Sequence, residues 1–139
     1  PQDSLPEGGE SRVAKIYEAE SAKAFGKFEK KDFRNRSSIA FLEGKSNKIS
    51  WNISTGIANI YAFRFNFMNV SKTPKEIKLK LIGTNGTVVK ENTITFPAAD
   101  EKWRILSTST GDFINAGDYK LELSADDTNG LWFDALTVQ

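Results

Sequence analysis

The sequence predicts an all-β chain folded as an antiparallel β-sandwich. Three observations carry this. Aromatic and branched residues alternate with polar ones at a period of two, most clearly over residues 60–68. Turn signals separate such runs at short intervals: Glu43-Gly44-Lys45-Ser46-Asn47, Thr84-Asn85-Gly86-Thr87 and Asp126-Asp127-Thr128-Asn129-Gly130. No segment sustains the period of an amphipathic helix. Evenly spaced short strands with local turns build two packed sheets rather than a parallel sheet with crossover helices.

Taken in order, residues 1–12 read as a linker or disordered tail: they carry Pro1, Pro6, Gly8, Gly9 and acidic residues, without an apolar period. Residues 13–139 form the domain. Residues 16–21 read as a first strand with Ile16, Glu18 and Glu20 on one face. Residues 22–38 read as a long loop in which Lys23, Lys27, Lys30, Lys31, Arg34 and Arg36 are solvated while Phe25, Phe28 and Phe33 plug the sandwich. Residues 39–42 and 48–53 are two strands. In residues 60–68, Tyr61, Phe63, Phe65 and Phe67 share a face, and four consecutive inward positions are what one sheet of a sandwich needs. Ile77, Leu79 and Leu81 repeat the pattern, Asn85-Gly86 predicts a tight primed hairpin turn, and residues 88–96 return until Pro97 ends the strand. Residues 103–106, 119–123 and 130–139 complete the strands. Trp51, Phe63, Phe65 and Leu121 are expected in the core.

Composition narrows the chemistry. A chain of 139 residues is long enough to bury one core, and a net charge of +1 argues against a nucleic-acid partner. Cysteine and histidine are both absent, which removes disulfides, thiolate chemistry, the commonest general base and the usual zinc ligand. No apolar run is long enough to span a membrane. The chain opens on Pro1 without a leader pattern, so a processed or excised piece is expected. Asn35, Asn52, Asn69 and Asn85 each stand in a glycosylation sequon. Phosphate loops and nucleophile elbows are missing, so catalysis would have to rest on carboxylates alone.

The final strand poses a charge problem. Simple alternation puts Trp132, Asp134, Leu136 and Val138 on one face, so Asp134 needs a positive neighbour. Two readings stand. Glu18, Glu20 and Asp134 could hold a hard cation with oxygen ligands, above all calcium. Alternatively, the glutamates lie on a solvated strand face and Asp134 meets a basic side chain.

Tyr17-Glu18-Ala19-Glu20-Ser21, the segment 114–123 and the closing Phe133-Asp134-Ala135-Leu136-Thr137-Val138-Gln139 together resemble carbohydrate-binding modules of families 6 and 35. The likeness spans residues 13–139. It implies a jelly-roll sandwich with a structural calcium on Glu18, Glu20 and Asp134, completed by carbonyls near residues 35–38. It also implies a non-catalytic domain that binds an oligosaccharide or polysaccharide. Trp103, after the loop 98–102, falls where the family puts a stacking tryptophan, and Phe41 lies near a second aromatic position. An asparagine two residues before the last-strand aspartate is replaced by Trp132, with Asn129 displaced upstream. Trp103, Phe41, Asn129 and Trp132 are thus the candidate ligand residues, although Trp132, sharing the face of Asp134, is expected to pack inward. The implied setting is a secreted, periplasmic or cell-surface bacterial protein, with a glycoside hydrolase or related enzyme upstream in the same chain. The alternative is an accessory sandwich that buttresses such an enzyme and binds no glycan.

Overall fold

The structure is a computed structural model and describes residues 14–33, 35–98 and 100–139; the linker expected at residues 1–12 lies outside them. Its strands are β1 (Lys15–Glu18), β2 (Lys23–Phe25), β3 (Phe28–Phe33), β4 (Arg36–Phe41), β5 (Lys48–Thr55) and β6 (Ala62–Asn69). They continue as β7 (Lys75–Gly83), β8 (Val88–Phe96), β9 (Arg104–Ser109), β10 (Gly117–Ser124) and β11 (Leu131–Val138). No α-helix occurs among the described residues. One sheet has the order β3-β4-β11-β6-β9, with β1 also paired to β11; the other runs β2-β5-β10-β7-β8. Every pairing is antiparallel.

The core between the sheets follows the alternation read from sequence. Phe63, Phe65 and Phe67 of β6 are buried, as are Trp51 of β5 and Leu121 of β10. Phe96 collects the rings: its centroid lies 5.8 Å from Phe65, 4.9 Å from Phe67 and 5.4 Å from Phe133, all edge-on. That arrangement suits the quadrupoles of aromatic pairs. Each such side chain contributes about 1.5–3 kcal/mol by leaving water.

Four local expectations change. First, residues 22–38 are not a loop. They form β2, β3 and the start of β4, with a turn at Asn35, whose φ of 65° is left-handed. Ser37 Oγ donates to Asp32 and Ser38 Oγ to the Lys31 carbonyl, which supports the hairpin locally. The lysines that suggested a loop mark β3 as an edge strand, where charge discourages pairing with another chain.

Second, the opening strand stops at Glu18. Ala19–Ser21 is a single 3-10 turn, with Ala19 buried and Ser21 Oγ donating to the Glu18 carbonyl. Glu20 therefore does not share a strand face with Glu18. Third, the 84–87 turn is not primed. Of its residues only Gly86 has a positive φ, and the Gly86 N–H donates to the Gly83 carbonyl at 2.9 Å. The ladder then slips beyond Leu81. An ordinary turn closed by a left-handed glycine and a bulge fits the sheet twist equally well.

Fourth, β11 carries a bulge at Asp134. Phe133 pairs with Phe67, and the next pair is Ala135 with Asn66, so Asp134 is the extra residue. Leu131 and Phe133 point into the core before it, and Leu136 and Val138 after it. The face swap takes Asp134 and Trp132 off the core face.

Candidate functional site

Register places an aromatic row on the outer face of the β3-β4-β11-β6-β9 sheet. Trp132 lies between Ala40 of β4 and Met68 of β6. Arg104 of β9 pairs with Phe67 at the end of that ladder, and Trp103 is the residue just before it, near Met68. The row reads Ala40, Trp132, Met68, with Trp103 entering β9 at its far side. The strands bearing the two indoles are separated by one strand, hence by about 10 Å. Both tryptophans are partly exposed. The next row brings Asn66 alongside Ile105, an exposed aliphatic side chain. The Trp103 indole nitrogen is buried and has no hydrogen-bond partner among the described residues.

Trp132 was expected to pack inward; the bulge turns it outward beside Trp103. Phe41 is not a stacking platform. It is buried, with ring centroids 6.4 Å from Phe28 and 6.1 Å from Phe133. Asn129 is exposed in the turn ahead of β11, where its N–H donates to Asp127 Oδ1. Trp51 belongs to the core, and its indole N–H donates to the Glu18 carbonyl.

The loops around this face are pinned by buried polar groups whose structural part the sequence did not show. Asn47 Nδ2 donates to the Leu42 carbonyl and Thr128 Oγ1, while its Oδ1 accepts the Lys27 N–H. Asn69 Nδ2 donates to the carbonyls of Thr73 and Phe96, and its Oδ1 accepts from Ser71. Asn69 is wholly buried, so the folded domain withholds this sequon from glycosylation. Lys75, also buried, donates from Nζ to Asp127 Oδ2 at 2.7 Å. That bond, with help from the Asn129 N–H, holds the Asp127 carboxyl below the usual range, against the opposing effect of burial. Gly130 closes the turn at φ 91°, and a Cβ there would meet the Ser71 backbone nitrogen at 2.9 Å. One legible signal was the clustering of Asn, Thr and Gly in the 43–47 and 126–130 turns.

The calcium expectation can be tested on these residues. Asp134 is 3% exposed, and its Oδ2 accepts from Arg36 Nη1 and from Asn66 Nδ2, both at 2.7 Å. Glu18 ends β1, and Glu20 is exposed in the following turn. Residues 36–38, expected to lend carbonyls from a loop, are strand residues paired with β3. Among the described residues no group of three or more acidic, histidine or cysteine side chains is arranged to hold a metal ion. Glu18, Glu20 and Asp134 thus do not form one ligand set, and the positive neighbour of Asp134 is an arginine.

Other grooves lie away from this row. One, on the β5-β10-β7 side, is lined by Asn52, Ser54, Asp118, Tyr119 and Lys120 among others. At the opposite end from the tryptophans, Phe113 is 69% exposed beside the Asn59–Ile114 bridge, with exposed Ile57 and Ile60 in the facing loop.

No protein-family model matches this chain, and no curated protein is significantly similar to it. Solved structures are. A family 35 carbohydrate-binding module from Clostridium thermocellum in its native form superposes with a TM-score of 0.73 at 20% identity, covering 91% of this chain and 97% of that one. A β-(1,4)-mannanase of Podospora anserina, joining a family 26 glycoside hydrolase to a family 35 module, gives 0.66 at 22% identity over 91% of this chain and 27% of that one. A module of Cellvibrio mixtus lichenase 5A, solved with cellotriose, gives 0.68 at 12% identity over 90% and 95%. The fold is therefore that of carbohydrate-binding modules, as the sequence resemblance implied.

Proposed function

We propose that this domain binds an oligosaccharide or polysaccharide without transforming it, and so holds an enzyme of the same polypeptide near its substrate. The observation that carries this reading is the pair of partly exposed indoles, Trp103 and Trp132, on one outer sheet face. Sugar rings present apolar C–H faces that stack on indole, and amide groups serve their hydroxyls. The gain is effective concentration rather than chemistry. The linked enzyme is a glycoside hydrolase or a related enzyme acting on carbohydrate, and the setting is the outside of a bacterial cell or its periplasm. Modules of the same fold, one joined to a mannanase and one solved with cellotriose, support the glycan-binding and enzyme-linked parts of this reading.

Affinity electrophoresis through gels containing soluble polysaccharides tests it. The wild-type domain is retarded by at least one of them, and Trp103→Ala removes most of the retardation. A domain retarded by none overturns the reading. The exposed Phe113, Ile57 and Ile60 favour a second reading, an accessory domain seated against its enzyme. Under that reading no glycan retards the domain, and Phe113→Ser destabilises the intact enzyme.

A further inference from the structure

We propose that in this chain the cation joining β11 to the start of β4 is the guanidinium of Arg36, standing where the family resemblance implies a metal. β11 has two neighbours on one side. β4 pairs with it at Trp132 and Phe133, and β1 pairs from Ala135 to Val138. Asp134, the bulged residue, falls at the seam between them. β4 stays with β3 as far as Arg36 while its pairing to β11 ends at Ile39. Arg36 then reaches back from the diverging strand and meets Asp134 Oδ2 at 2.7 Å, while Asn66 binds the same oxygen from the other side.

The charge count is complete without a metal. One buried carboxylate meets one guanidinium, whose own side chain is half exposed at 50% and so is lightly desolvated. A calcium ion needs six to eight oxygens at 2.3–2.6 Å. Here the Glu18 carbonyl accepts from Trp51 and Ser21. Residues 36–38 are engaged in the β3-β4 hairpin. A divalent ion at Asp134 would also have to displace the guanidinium, since like charges at that distance repel strongly. Arginine suits the post because it keeps its charge at any working pH and presents directed donors. This inference is independent of whether a glycan binds.

The test is a set of thermal melts on protein dialysed against EDTA, with and without added calcium chloride. The wild-type midpoint stays within about 1 °C across the two conditions, because no resident ion is removed or restored. Arg36→Met lowers it by about 5 °C or more, since a buried carboxylate loses its cation. Arg36→Lys recovers part of that loss, and Asp134→Asn added to Arg36→Met recovers part by removing the unpaired charge. Should Arg36→Met fail to fold alone, its combination with Asp134→Asn supplies the comparison. A wild-type midpoint that falls in EDTA and returns with calcium overturns the proposal. So does an Arg36→Met midpoint equal to that of wild type.

Discussion

Replacing Asp127 by asparagine should cost more stability than replacing its partner Lys75 by methionine. The asymmetry follows from burial: the Lys75 side chain is 8% exposed, whereas that of Asp127 is 66% exposed. Asp127→Asn leaves an ammonium inside the protein without its counter-charge. Breaking a fully buried pair in this way costs about 3–5 kcal/mol, but this pair opens to water on one side, so about 1–2 kcal/mol is expected. Lys75→Met keeps the buried stem, removes the buried charge and leaves only an exposed carboxylate behind. Its cost should be below about 1 kcal/mol. In melting temperature the first change amounts to a loss of roughly 3–8 °C and the second to a degree or two.

The pH dependence has a definite sign. The Lys75 hydrogen bond lowers the Asp127 pKa in the folded state, so its stabilisation is fully present above the unfolded pKa. It is lost as pH falls below about 4 and through the folded value. The wild-type lead over Asp127→Asn should therefore shrink only on the acid side. Thermal melts of both single variants and the double, at pH 7 and at pH 3, provide the assay. Equal costs for the two single variants at pH 7, or a lead that grows in acid, would refute the reasoning.

Two further changes probe the same end of the sandwich. Gly130→Ala should destabilise by about 2 kcal/mol or more, because φ is 91° and the new Cβ meets the Ser71 backbone at 2.9 Å; denaturant unfolding measures this. Asn69→Ala should cost about 2–3 kcal/mol in the same assay, since it strips donors from the buried Phe96 and Thr73 carbonyls. A domain secreted from a glycosylating host should correspondingly carry no glycan at Asn69, which peptide mass mapping reads directly.

Much of this was written in the period of the hydrophobic residues. The β6 row Phe63, Phe65, Phe67 faces the core as read, because nothing interrupts its alternation. The period fails where one residue is inserted. At Asp134 the bulge reverses the faces of β11, and a sequence of suitable residues looks the same with or without a bulge. Trp132 was consequently placed inside when it stands outside. The 22–38 segment misled for a different reason. Its lysines are those of an edge strand, and edge strands blunted by charge lose the apolar alternation that identifies a strand. Arg36 was legible only as one of several basic residues. Nothing local says that β4 diverges from β11 and turns this one toward Asp134 across 98 positions. The placing of Trp103 and Trp132 on one sheet likewise depends on β6 lying between β9 and β11, a matter of sheet order rather than of motif.

The account rests most heavily on where a glycan touches the domain, and the three tryptophans of the chain make that measurable. In a nitrogen–proton NMR spectrum each indole gives its own signal, to be assigned by single Trp→Phe variants. Titration with the polysaccharide fragment that retards the domain best should move the Trp103 and Trp132 signals. The Trp51 signal, held by the Glu18 carbonyl inside the core, should stay where it is. Trp103→Ala should weaken the fitted Kd by about 5- to 150-fold, the equivalent of one stacking contact of about 1–3 kcal/mol. Shifts confined to the groove around Asn52, Tyr119 and Lys120, with both outer indoles unmoved, would contradict the assignment of the binding face.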